Sequence, residues 1–171
     1  MIQGFRNIME ILDSLPEDIG MAIYECAKAL TKSSGSSFGT IMATGMMAVA
    51  KVKKEQTGIE LEEVSGLFNE ALNAMQKRGK ASLGDKTVLD VIAAARDAVK
   101  NQSDGQTMLN SINQAINETM DNFRNRQCQI GRARIFGEKS IGLDDPGMLA
   151  FKRMFESLES GSFKNTDRLQ K

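Results

Sequence analysis

Met108, Ile112, Ile116, Met120 and Phe123 follow one another at intervals of three or four residues. That spacing puts five apolar side chains on one stripe of an α-helix, and a strand, whose faces alternate every second residue, cannot use it. The same period recurs along the chain. It begins with Ile2, Phe5, Ile8 and Leu12, continues through Ile19, Ile23, Ala27 and Leu30, and returns in Ile41, Met42, Met46 and Val49. Leu61, Val64, Phe68, Leu72 and Met75 mark a fourth helix, Val88, Val91, Ile92 and Ala95 a fifth, and Met148, Phe151, Phe155 and Leu158 one after the Met108 series. The pattern therefore predicts seven helices and no strand, an all-α antiparallel up-down bundle or barrel. With 171 residues the chain suffices for one domain with a real core, spanning 1–158 and followed by a polar tail, 159–171. Ser14-Leu15-Pro16-Glu17 reads as a capping box for the second helix, Asp85 as the cap of the fifth, and Asp144-Asp145-Pro146 as the start of the seventh.

Three connections carry chemistry that helix packing does not need. They are 31–40, 79–87 and 131–147, each combining glycine with Ser, Thr, Lys or Arg. They follow the second, fourth and sixth helices, so in an up-down bundle they emerge at one end. In the third, the N–H groups at the start of the seventh helix are expected to face Arg132, Arg134 and Lys139, a setting suited to a phosphorylated ligand.

Composition removes several alternatives. The chain has no histidine, which excludes the commonest general base, a phosphohistidine relay and most zinc sites. Twenty-two basic residues balance twenty-two acidic ones, so the broad cationic field of a nucleic-acid binder is absent. Cys26 and Cys128 form no disulfide framework and fit a reducing cytoplasm. No apolar run approaches the roughly 20 residues that span a bilayer, and no G-x-x-x-x-G-K-[ST] or strand-linked G-x-G-x-x-G motif occurs. The eleven methionines fall at helical core spacing and read as packing.

Gly79-Lys80-Ala81 with Gly84-Asp85-Lys86-Thr87, then Gly131-Arg132-Ala133, Gly137-Glu138-Lys139-Ser140-Ile141-Gly142 and Asp145-Pro146-Gly147, closely resembles the nucleotide-binding L subunit of dihydroxyacetone kinase. Ser34-Gly35 and Phe38-Gly39-Thr40 match that family's earlier glycine loop less tightly. The resemblance implies a barrel of antiparallel helices holding ADP or ATP at one end. It assigns Ser33, Ser34 and Arg132 to phosphate, Gly79 and Val88 to the pocket lining, and Asp145, Pro146 and Gly147 to its closure. It further implies a dihydroxyacetone-binding K subunit as partner, a phosphohistidine-bearing M subunit as donor, and Mg2+. The family's metal-binding G-D-x-D-H-G segment is not present in this sequence. The resemblance thus leads us to expect seven helices of an eight-helix barrel, an open edge prone to self-association, and little activity from the chain alone. A non-catalytic binding or regulatory module, or the nucleotide domain of a related kinase with another substrate, are the competing readings.

Overall fold

The computed structural model describes residues 2–32 and 37–161, with side chains for 3–32 and 37–158. Seven α-helices are present among the described residues: α1 (Ile2–Ile11), α2 (Ile19–Thr31), α3 (Ser37–Val52), α4 (Val64–Gly79), α5 (Val88–Ala98), α6 (Gly105–Arg124) and α7 (Pro146–Gly161). Short 3-10 segments lie at Leu12–Ser14, Leu61–Glu63 and Arg132–Ser140, and no strand occurs in this part of the chain. The all-α fold expected from the apolar period is the one observed.

Each helix packs on the next in the chain, and α7 also folds back onto α5. The middle of the molecule is therefore α5, flanked by α4, α6 and α7. Its sequence is apolar on almost every side for that reason: Val88, Leu89, Val91, Ile92, Ala93 and Ala95 are all buried. Leu72 and Met75 of α4, Ile112, Ile116 and Met120 of α6, and Met148 and Phe151 of α7 complete this core. The Met108 stripe thus faces inward as its spacing requires. A smaller cluster, Ala27, Leu30 and Ala43, joins α2 to α3.

The α2–α3 contact is unusually close, and Gly20 makes it so. A Cβ at this position would sit 2.5 Å from the Lys54 nitrogen and 2.6 Å from the Ala50 oxygen, both main-chain atoms of the neighbouring segment. The approach is fastened by Ile19 N–H donating to the Gln56 carbonyl at 2.7 Å and Gly20 N–H to the Lys53 carbonyl at 3.2 Å. Beneath it, the Lys53 ammonium, 1% exposed, pairs with the Glu63 carboxylate at 2.9 Å.

Two helix starts differ from the sequence expectation. Ser14 and Glu17 form no capping box, since Ser14 Oγ donates to the Ile11 carbonyl within a 3-10 turn. Asp18 caps α2 instead. One carboxylate oxygen accepts Met21 N–H at 2.7 Å while the other accepts Glu55 N–H at 2.6 Å, so the cap also ties α2 to the exit of α3. Asp85 likewise does not cap α5. Its carboxylate accepts Ser82 N–H at 2.7 Å, the chain then turns through Lys86 at φ 61°, and Thr87 becomes the cap with Asp90 as its reciprocal partner.

Candidate functional site

The start of α3, the end of α4, the start of α5, the 125–145 connection and the start of α7 enclose a cavity of about 520 Å³. This size suits a small organic ligand. Its inner wall is apolar, made by Phe38, Ile41, Met75, Val88, Leu89 and Ile130. Gly79, Gly131 and Gly147 bring main chain to the surface of the cavity. At Gly147 the closeness is tight, because a Cβ there would stand 3.0 Å from Asp145 Oδ1, 3.5 Å from Val88 and 3.6 Å from Phe38.

Gly79, Val88, Arg132, Asp145, Pro146 and Gly147, selected from the stretches 79–88 and 131–147, all line this one cavity. Ser33 and Ser34 lie outside the described residues, but Ser37 and Phe38, which follow them, are in the lining. Arg134 and Lys139 are exposed and are not among the lining residues. Apart from Val88, the apolar wall was not anticipated as part of a site. Its signal was available in apolar residues such as Phe38, Ile41 and Val88 at helix starts that abut glycine-bearing loops.

The start of α7 is not the open anion site that its sequence suggests. Asp145 Oδ1 accepts both Gly147 N–H, at 2.8 Å, and Met148 N–H, at 2.9 Å. The chain's own carboxylate thus occupies these donors and places negative charge where an anion would sit. At α5, Thr87 Oγ1 accepts Leu89 N–H at 3.2 Å, and Asp90 accepts Gly84 N–H and Thr87 N–H at 2.6 and 2.7 Å. The first turn of α3 contains no acidic residue, and none occurs between Thr31 and Thr40. Hence the cavity has an acidic pole at Asp145 and a basic mouth at Arg132, with the acid-free start of α3 alongside. Arg124 braces the frame from behind, holding Asp144 at 3.0 Å and Asp121 at 2.7 Å.

Burial pushes the Asp145 carboxyl above its ordinary range, against the lowering influence of the Met148 and Gly147 N–H groups and Lys86, and Asp90 nearby adds to the rise. A carboxyl whose pKa is raised on folding binds its proton more tightly in the native state. The contribution of this carboxyl to stability is therefore fully present below the unfolded value, near 3.8, and is lost as pH rises through the folded one. Asp145→Asn keeps an oxygen for both cap donors and removes the buried charge. We expect this variant to gain stability relative to the wild type as pH rises above the unfolded carboxyl value, as followed by thermal melts; an identical pH dependence would contradict the assignment.

Among the described residues, no group of three or more His, Cys, Asp or Glu side chains could hold a metal ion. The described residues thus supply no protein-only cage for Mg2+. No helix of this part of the chain is long and apolar enough to cross a membrane.

The DAK2 domain family model matches residues 1–160. The chain belongs to the DAK2 domain family. It is 27% identical over 163 residues to the ADP-binding subunit DhaL of the PEP-dependent dihydroxyacetone kinase of Escherichia coli (strain K12), covering 92% of this chain and 78% of that protein. Against the ADP-binding subunit DhaL of the PTS-dependent dihydroxyacetone kinase of Lactococcus lactis, identity is 29% over 157 residues, with 92% and 70% covered. The L-erythrulose 1-kinase of Mycolicibacterium smegmatis is 26% identical over 133 residues, 77% of this DAK2 domain but 23% of that larger protein. The relatives are thus kinases or kinase subunits.

Proposed function

We propose that this DAK2 domain is the ADP/ATP-holding subunit of a dihydroxyacetone-kinase-type phosphotransferase. The observation that carries this reading is the gathering of Gly79, Val88, Arg132 and the Asp145–Gly147 turn into one cavity. The apolar inner wall suits a purine base. The phosphates would be held by Arg132 and by Ser33 and Ser34 ahead of α3, away from Asp145, because a carboxylate whose oxygen already caps a helix repels them. The nucleotide, when bound, supplies the transferable phosphoryl group; the chain, lacking histidine, orients it rather than carrying phosphate itself.

The acceptor would be dihydroxyacetone held by a partner K subunit, with a phosphohistidine-bearing M subunit recharging the nucleotide. Ile135, Phe136 and Leu143, 79%, 58% and 61% exposed, give the 131–147 connection an apolar outer surface of the kind a partner subunit covers. The free thiols of Cys26 and Cys128 agree with a cytoplasmic setting. Turnover requires charge neutralisation on the phosphoryl group, and the described residues offer no carboxylate cluster for a metal, so we assign this chain the holding of nucleotide and no chemical step through Mg2+.

The similarity to an L-erythrulose kinase favours a second acceptor, a longer ketose, within the same reaction class. Calorimetric titration with ADP tests the first part of the reading, and saturable binding in the micromolar to millimolar range is expected. Heat-silent titration together with an unchanged melting temperature at millimolar ADP would overturn it. Transfer assays with dihydroxyacetone and erythrulose, in the presence of K subunits, then separate the two acceptors.

A further inference from the structure

Lys86 holds the left-handed backbone conformation, φ 61°, that favours glycine, and its side chain is only 1% exposed. A lysine in such a place is unfavourable unless its ammonium is fully bonded. Nζ donates to the carbonyls of Arg124 at 3.0 Å, Arg126 at 2.7 Å and Ser140 at 2.9 Å, which uses all three of its N–H groups. Those acceptors belong to the last residue of α6, the turn that leaves it, and the far end of the 3-10 segment. Three further hydrogen bonds close the same connection onto itself and onto the turn before α5. Ser140 Oγ accepts Cys128 N–H at 3.0 Å and donates to the Gly137 carbonyl at 2.6 Å, and Gln129 N–H donates to the Asp85 carbonyl at 3.1 Å. Between these ties run Ile130, Gly131, Arg132 and Ala133, the part of the connection that lines the cavity. Lys86 itself is not in the lining, so it can act there only through the main chain it holds.

We propose that Lys86 is a positioning residue: its ammonium fixes the 125–140 connection against the start of α5 and thereby sets Arg132 at the mouth of the cavity. This rests on the reading that Arg132 meets the nucleotide phosphates. A lysine that only fills the core would change stability and leave the affinity of the folded protein alone. Positioning changes affinity in protein that is fully folded.

The experiment compares the wild type with Lys86→Gln, which keeps two donors, and Lys86→Met, which keeps none. ADP affinity is measured by calorimetry well below each melting temperature, and amide hydrogen exchange is recorded on the same samples. We expect affinity to fall roughly tenfold in Lys86→Met and by less in Lys86→Gln, with faster exchange confined to 125–142 and α2 to α4 unaffected. If Lys86→Met does not fold, Lys86→Gln carries the comparison. Folded variants that bind ADP as tightly as the wild type, or failure of both to fold, would overturn the positioning role. A wild type that takes up no ADP overturns the nucleotide reading instead, whereas unchanged exchange in 125–142 overturns the brace whatever the ligand.

Discussion

Arg132→Ala is expected to weaken ADP binding by roughly 10- to 150-fold, the equivalent of about 1.5–3 kcal/mol for one charge-assisted contact. Arg132 is the basic side chain in the cavity lining, and the other charged residue there, Asp145, has the wrong sign for phosphate. The Gln129 and Ser140 ties hold the main chain on either side of Arg132, and a melting temperature recorded beside the titration separates lost contact from lost fold. Calorimetry with ADP checks the effect, and Arg134→Ala serves as the comparison. Arg134 is two residues away, exposed and outside the lining, and its loss should alter affinity little. Equal losses in the two variants would mean that general positive charge at the mouth, rather than Arg132, attracts the ligand.

Gly20→Ala is expected to cost about 2–3 kcal/mol of stability, because a single added methyl must force two helices apart. For a domain of this length that corresponds to a fall of roughly 4–12 °C in melting temperature. The size of the effect follows from what the methyl meets. At Gly45 the nearest atom to an added Cβ is the sulfur of Met75, a flexible side chain that can move aside. At Gly20 the nearest atoms are main-chain atoms of Lys54 and Ala50, fixed by the hydrogen bonds that join α2 to the end of α3. A melting temperature within a degree or two of the wild type would show that this contact relaxes freely.

The helices were legible because each buries a stripe, and a stripe leaves a period in the sequence. α6 shows this best, with Met108, Ile112, Ile116 and Met120 all buried. The central place of α5 was less legible, since a helix covered on three sides loses the one-sided pattern from which a neighbour could be inferred. Helix starts were harder still. Ser14, Asp18, Asp85 and Thr87 are all competent caps by residue type, and the choice fell to contacts distant in sequence, such as Asp18 with Glu55, or to a backbone turn at Lys86. At the candidate site, glycines marked the connections that line the cavity and helix parity put 79–87 and 131–147 at one end, whereas of Arg132, Arg134 and Lys139 only Arg132 is in the lining. What sequence could not show was that Asp145 would turn its carboxylate onto its own helix. The residue types suit either an open N-terminus or a closed one, and only the geometry distinguishes them.

Met75, Val88 and Leu89 belong at once to the cavity wall and to the main core. The pocket is therefore not an appendage, and whatever fills it completes the interior. A ligand at a hundred times its dissociation constant would raise stability by about 2.7 kcal/mol through mass action alone. Thermal shift should consequently report occupancy with good sensitivity. The same coupling means that a substitution at Met75, Val88 or Leu89, which belong to wall and core together, will change stability and ligand affinity at once.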